Sequence, residues 1–456
     1  MKKDSFHLVS LGCAKNTVDS NSMAQLLQGK GFLAENDPGE AEILLVNTCG
    51  FIEPARDESY AVLAELGADK KPGQLLIAAG CLTQRYGEEV LKRIPEIDGI
   101  LGTRRWMDII RVIGDLREGG FPQPYYHLPE VQTVGKAPKD TVGAHIEGGS
   151  AYLKIADGCR RPCAFCAIPG IKGTAVSRSV DEILADARYL QSRGVKEINL
   201  IAQDTTDYGH DLGQKDGLAG LLQILGPAVP EIDWIRILYA YPGYVTDQLI
   251  EVMAASDQIL PYIDMPLQHA DPEVLKKMRR PANMDWVLQT VDKLRSKLPQ
   301  LALRTTFIVG YPGETDKAFE TLLGFIEETR FDRVGVFEFS FEPGTASEPL
   351  GDPIPAIIKR ERLESVMLLQ QRISLEKNQA LVGKTLDVLI EGQGEVEGSD
   401  EFISLGRSYR DAPEIDGMVI VEGELTAGLI YPVEITGAMV YDLTGVPAVK
   451  NDLNVI

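Results

Sequence analysis

The chain has 456 residues, with 46 Lys plus Arg against 67 Asp plus Glu and a formal net charge of −21. At roughly 100–200 residues per domain it should form about two to four domains, and a chain of this length buries enough surface to fold without disulfides. Such acidity excludes nucleic acid as a default partner, because that binding is largely phosphate neutralisation by Lys and Arg, and favours a basic one.

The first residues, MKKDSFHLVSLGCAK, hold an apolar run too short for a signal peptide. Ser10-Leu11-Gly12-Cys13 is faintly similar to a lipoprotein cleavage site, but Asp4 and His7 stand where the apolar region should be. With no run of about 18 uncharged apolar residues, no spanning helix is expected, and the expected location is cytoplasmic.

Residues 6–11, 42–48 and 75–79 read as short buried strands, and 99–102 as a weaker fourth. Helical stretches lie at 21–30, ending before Gly31, at 54–66, opened by Pro54 and closed by Gly67, and at 84–93. This alternation predicts an open parallel sheet with helices on its faces. Cys13, Cys49 and Cys81 each follow one of the first three strands. Ligands of open α/β sheets bind at that carboxyl edge, so three distant cysteines should meet on one rim. Three buried structural cysteines are the alternative.

Residues 119–150, rich in Gly, Pro, Gln and Thr, read as a linker or surface excursion. Alternation resumes from Ala151, with strands expected at 152–156, 197–202, 234–239, 262–266, 303–309 and 333–339. A helix capped by Ser179 and closed by Gly194 lies between the first two. Six such strands fit an open or partial (β/α) barrel, whose working face is again the carboxyl end. A long charged helix follows at 356–380. Short strands at 386–390, 401–405, 418–421 and 433–437, between Gly-rich turns, then predict a small antiparallel barrel. From Glu376 to Ile456 there are 5 basic and 15 acidic residues, so this part carries about half of the excess charge.

Six cysteines in a reduced compartment point to thiolate chemistry or metal ligation rather than disulfides. Cys159-Arg160-Arg161-Pro162-Cys163-Ala164-Phe165-Cys166 follows the first barrel strand. Three thiolates can hold three irons of a cubane whose usual complement is four, leaving one iron open. A zinc knuckle and a redox pair at Cys163 and Cys166 are alternatives, although zinc usually takes four ligands in two pairs. Gly383-Lys384-Thr385 is not a phosphate loop, because Asn378 stands where the required Gly would be.

The C-x3-C-x2-C spacing, with Phe165 before the last Cys, resembles the radical S-adenosylmethionine superfamily. Other segments fit that resemblance. Gln203, ending the second barrel strand, would grip the amino group of the cofactor. Gln268, in Met265-Pro266-Leu267-Gln268-His269, would reach its ribose. Val309, in the segment from Thr306 to Glu314, would meet the adenine, with Thr306 in place of the first Gly of the G-x-I-x-G-x-x-E pattern. Arg178 would pair with the cofactor carboxylate through a charge-assisted fork. No residue is assigned a catalytic role.

With the second trio at Cys13, Cys49 and Cys81, nearly the whole chain resembles the methylthiotransferases. Within them, Pro266-Leu267-Gln268-His269-Ala270 and the run from Gly406 to Gly417 resemble the branch that modifies an aspartate β-carbon in small-subunit ribosomal protein twelve. The other branch, acting on tRNA adenosine, is the alternative; an acidic C-terminal barrel would repel tRNA and attract a basic protein. The resemblance implies a methylthiotransferase N-terminal domain at 4–118, a linker at 119–144, a radical S-adenosylmethionine core at 145–376 and a TRAM barrel at 377–446. It also implies two [4Fe-4S] clusters, one on each cysteine trio. S-adenosylmethionine would be both methyl donor and radical source, with a sulfur donor (sulfide or polysulfide) on the auxiliary cluster. An electron-donor protein would be a partner, and the substrate could lie in the assembled ribosome.

Overall fold

The computed structural model describes residues 1–119, 124–395 and 402–448. The N-terminal strands are β1 (Ser5–Ser10), β2 (Leu33–Ala34), β3 (Ile43–Thr48), β4 (Leu75–Gly80), β5 (Gly99–Gly102) and β6 (Tyr125–His127). They form an all-parallel sheet in the order β2-β1-β3-β4-β5-β6. Every residue of β3 is buried, as expected for a continuous apolar run between two helical layers. Those layers are α1 (Ala14–Gly29), α2 (Glu53–Ala68), α3 (Cys81–Arg93) and α4 (Ile109–Glu118).

Three helix ends differ from expectation. α1 begins at Ala14, because Val18 already packs into the interior. α2 runs through Gly67, which lies against the Glu96 side chain rather than ending the helix. α3 begins at Cys81 itself. The stretch expected as a linker also contributes structure: β6 pairs with β5, and β7 (Ala144–Glu147) forms an edge of the second sheet. Three residues are too few to show a period, and β6 is fixed by tertiary bonds from Tyr125 to Asp115 (2.6 Å) and between His127 and Asp108 (2.7 Å). Residues 120–123 of that stretch lie outside the described residues.

The second sheet is an open half-barrel. Its parallel strands are β8 (Ser150–Lys154), β11 (Glu197–Ile201), β12 (Trp234–Ile237), β13 (Ile259–Asp264), β14 (Ala302–Val309) and β15 (Arg333–Glu338), with β7 antiparallel on β8. A two-stranded ribbon of β9 (Ala156–Asp157) and β10 (Val176–Ser177) frames the cysteine loop, which contains α5 (Ile168–Lys172). The crossovers carry α6 (Val180–Ser192), α7 (Gly217–Ala228), α8 (Asp247–Ala254), α9 (Pro272–Lys277), α10 (Met284–Lys297) and α11 (Asp316–Thr329). Ser179 and Glu182 form a capping box on α6, satisfying two otherwise unpaired N–H groups.

α12 (Ala356–Gln379) leads into a closed barrel of β16 (Thr385–Glu395), β17 (Phe402–Ser408), β18 (Val419–Glu422), β19 (Ile430–Ala438) and β20 (Leu443–Pro447). The fifth strand, Leu-Thr-Gly-Val-Pro, is hidden from sequence reading by its Gly and Pro. Glu401, the expected start of one strand, lies outside the described residues.

Two junctions hold the three units together. The segment after β17 packs on the inner face of the half-barrel, where Ala412 joins Tyr152, Tyr262 and α1's Val18 in one apolar cluster. Around it Tyr262 donates to Asp416 (2.6 Å), Tyr152 to Glu414 (3.0 Å), and Arg236 to the Tyr409 carbonyl (2.7 Å). Glu197 is fully buried between Arg236 and Arg407. At the second junction Asp19 of α1 pairs with Lys154 and with Lys172 (2.7 Å), and both lysines also reach Asp157.

Candidate active site

Adjacent parallel strands β1, β3 and β4 bring Cys13, Cys49 and Cys81 onto one rim. Cys13 caps α1 and Cys81 opens α3, so two helix N-termini face the trio, where partial positive charge favours thiolates. The loops approach so closely that a Cβ on Gly12, whose φ is 91°, would lie 2.7 Å from the Cys49 Cβ. All six thiols are free. Burial pushes the Cys81 thiol up to about 12, with repulsion from Cys13 and Cys49 adding and Lys172 opposing. Burial also raises Cys49.

The second trio sits in the loop after the β8 strand. The Cys159 N–H donates to the Gly173 carbonyl (3.0 Å), and the Ala164 N–H donates to the Met278 carbonyl (2.9 Å). Burial raises Cys159 to about 11 and Cys166 to about 12, so a bound cation would displace protons from both trios. Arg280 Nη1 lies 3.6 Å from the Cys163 sulfur, and the Tyr241 hydroxyl 3.9 Å from it. Arg280 is nine-tenths buried, and its Nε has no partner among the described residues.

Among the described residues no three His, Cys, Asp or Glu side chains converge closely enough to hold one metal ion. A cubane instead needs thiolates spread around a body several atoms wide, and three thiolates in a short loop supply that donor set.

A cavity of about 940 Å³ opens beside the two cysteine loops, lined by neighbours of the cysteines rather than by the thiols themselves. Phe51, two residues past Cys49, lines it from one side, and Phe165, just before Cys166, from the other. Gln268 and Thr306 form its barrel-side wall, with Phe337, Phe339 and Phe341 from β15 and beyond. Glu342 closes one edge, accepting from Arg56 (2.5 Å) and Arg85 (2.8 Å) of the N-terminal unit.

Phe165 and Gln268 therefore meet in this cavity. Gln268 holds a φ of 75°, a strained value for a residue with a Cβ, and its backbone bridges Thr306 and Ile308. Gln203, two residues past β11, has a buried side-chain oxygen without a partner among the described residues, which fits an amine ligand. Val309 is wholly buried in the core, its carbonyl taken by the Phe339 N–H, and it does not line the cavity. Nor does Arg178. Its guanidinium donates to Asp186 (2.6 Å) and to the Lys154 carbonyl (2.9 Å), beside a separate cavity of about 720 Å³. Glu314, in the same segment as Val309, holds the turn by accepting from the Gly310 and Tyr311 N–H groups. Sequence reasoning missed Lys15, Tyr239, Tyr241 and Arg280, since a lone basic or aromatic residue in a helix's first turn or a loop carries no spacing signal.

The Radical SAM superfamily model matches residues 153–326, the model for "Uncharacterized protein family UPF0004" matches 5–102, and the TRAM domain model matches 382–447. The ribosomal protein uS12 methylthiotransferase RimO of Chloroflexus aurantiacus is 46% identical over 452 residues, covering 96% of this chain and 99% of that one. The chain belongs to the RimO methylthiotransferase family. The protein of that name from Aquifex aeolicus is 43% identical, covering 96% of each chain. Among solved structures, the radical S-adenosylmethionine methyltransferase TsrM of Kitasatospora setae is similar in fold, with a TM-score of 0.58 at 13% identity over 76% of this chain and 74% of that one. Membership makes the protein a radical S-adenosylmethionine enzyme that uses that cofactor and a [4Fe-4S] cluster. No helix among the described residues is long and apolar enough to cross a membrane.

Proposed function

We propose that this enzyme adds a methylthio group to the β-carbon of an aspartate in ribosomal protein uS12. Relatives of that name, at full length, support the substrate. The observation that carries the reading is a cavity lined by neighbours of both cysteine trios, Phe51 two residues past Cys49 and Phe165 just before Cys166. Cys159, Cys163 and Cys166 would hold the cluster that binds S-adenosylmethionine, and Cys13, Cys49 and Cys81 a second, auxiliary cluster carrying a donated sulfur. The bound groups supply the one-electron cleavage, the methyl group and the sulfur.

The chain's own residues do the positioning. Gln203 would accept from the amino group of S-adenosylmethionine, while Gln268 and Phe165, which share the cavity, would hold its nucleoside part. Arg280 is better placed than Arg178 to face an anion at the Cys163 loop. Phe339 is buried, whereas Phe337 and Phe341 leave apolar surface open at the cavity for a substrate to cover. The division at 4–118, 119–144, 145–376 and 377–446 follows these roles, and the net charge of −21 suits a basic protein substrate. An electron-donor protein completes the system.

The test is mass analysis after anaerobic incubation with S-adenosylmethionine, sulfide and reductant, using uS12, whole small subunits and tRNA in parallel. A methylthio gain on uS12 alone is expected. A gain on tRNA and not on protein overturns the reading.

A further inference from the structure

Four lysines are buried among the described residues, and three of them sit on carboxylates: Lys154 and Lys172 on Asp19 and Asp157, and Lys359 on Asp352. Lys15 does not. It is nine-tenths buried, and among the described residues no carboxylate oxygen lies within 4.0 Å of its ammonium. Its Nζ instead lies 3.4 Å from the centre of the Tyr239 ring. Asp264, the acid nearby, is already occupied: one oxygen takes Arg304 (2.8 Å) and the other the Tyr239 N–H (3.2 Å).

The position of this ammonium is as informative as its solitude. Lys15 is two residues past Cys13 on one rim. Tyr239 is two residues before Tyr241, whose hydroxyl faces the Cys163 sulfur on the other. The charge thus stands beside the Cys13 rim, against the segment that carries Tyr241 to the Cys163 sulfur. A desolvated cation is costly unless negative charge offsets it; Tyr239, Cys13 and Asp264 favour this ammonium against burial, yet none of them is a carboxylate in contact with it. The carboxylate of S-adenosylmethionine has a different candidate, Arg280, on the Cys163 side with an unpartnered Nε.

We propose that Lys15 is a specificity residue which receives the side-chain carboxylate of the acceptor aspartate. This rests on the uS12 reading above. In aspartate the carboxylate is one bond from the β-carbon, so the group that grips it fixes where the reacting carbon stands. An adenine ring offers no anion to this ammonium, so the same residue selects against a nucleoside acceptor.

The experiment uses the full chain, anaerobically reconstituted, and fluorescent peptides spanning the acceptor position of uS12 with Asp, Asn or Ala there. Anisotropy should show the Asn and Ala peptides binding wild type about tenfold or more weakly than the Asp peptide. Lys15→Met should bind Asp and Asn peptides alike, Lys15→Arg should keep the preference, and S-adenosylmethionine affinity in equilibrium dialysis should stay unchanged in both. Equal binding of Asp and Asn peptides by wild type overturns the inference, even if Lys15→Met fails to fold. So does a preference that survives in Lys15→Met, or a Lys15→Met variant that loses the cofactor instead. If wild type binds no peptide but binds a tRNA stem-loop, the uS12 reading fails and the inference with it.

Discussion

Glu197 offers a quantitative test of how the half-barrel and the C-terminal barrel are joined. Its carboxylate is wholly buried, taking Arg236 Nε (2.8 Å) on one oxygen, and Arg407 Nη2 (2.6 Å) and the Ser150 hydroxyl (3.1 Å) on the other. Burial alone would raise its pKa, but Arg407 and Arg236 outweigh burial and hold it at about 2, against an ordinary 4.5. At 1.36 kcal/mol per pKa unit the carboxylate form contributes about 3 kcal/mol, in line with the ~3–5 kcal/mol lost when one partner of a buried pair is removed. Glu197→Gln keeps the size and leaves Arg236 without an acid, while Arg407 retains only Glu391.

At pH 7 the variant should therefore melt roughly 5–10 °C below wild type, followed by circular dichroism. Because the folded pKa is depressed, this stabilisation is complete above about 4.5 and fades as pH falls towards about 2. The gap between wild type and variant should be full at pH 7 and 6 and narrower at pH 4 and below. An unchanged midpoint at pH 7, or a gap that widens on acidification, refutes the reasoning.

Asp19→Asn leaves Lys154 and Lys172 with Asp157 alone, and should cost about 3–5 kcal/mol in urea unfolding, with faster hydrogen exchange in α1. Changing Cys159, Cys163 and Cys166 together to Ala should lower iron after reconstitution from about eight atoms per chain to about four; zinc in place of iron would remove the enzyme reading. Gln268→Gly relieves a positive φ, so the melting midpoint should hold or rise by the equivalent of about 1 kcal/mol. Its affinity for S-adenosylmethionine should fall about tenfold in equilibrium dialysis.

Most of the parallel strands were legible, because they are short apolar runs between helical stretches; the two-residue β2 and three-residue β6 were not. Residues 99–102 and the Ser179 cap stand where the sequence puts them. The failures share a cause. β6 and β20 are held by what they pair with rather than by their own pattern, and Gly67 is a packing glycine inside a helix, not a stop. The placement of Cys13, Cys49 and Cys81 on one rim was legible because each follows a strand of a parallel sheet, a local feature. Arg178 looked suited to a carboxylate from its type and place, but the sequence does not reveal that Asp186, eight residues on along α6, already holds it. Lys15 and Arg280 matter only through what surrounds them in space, and nothing at neighbouring positions announces it.

With Tyr409, Ala412, Glu414 and Asp416 set against the half-barrel, the C-terminal module serves as its floor. Truncating the chain after α12 would wet Tyr262 and Arg304 together and strip Arg304 of one of its two acids. Lost modification in such a fragment would report a flooded chamber rather than a severed docking arm. Which ribosomal surface the module touches is better asked by reversing charges on its outward strands, such as Glu422 and Glu434, whose side chains leave that floor intact.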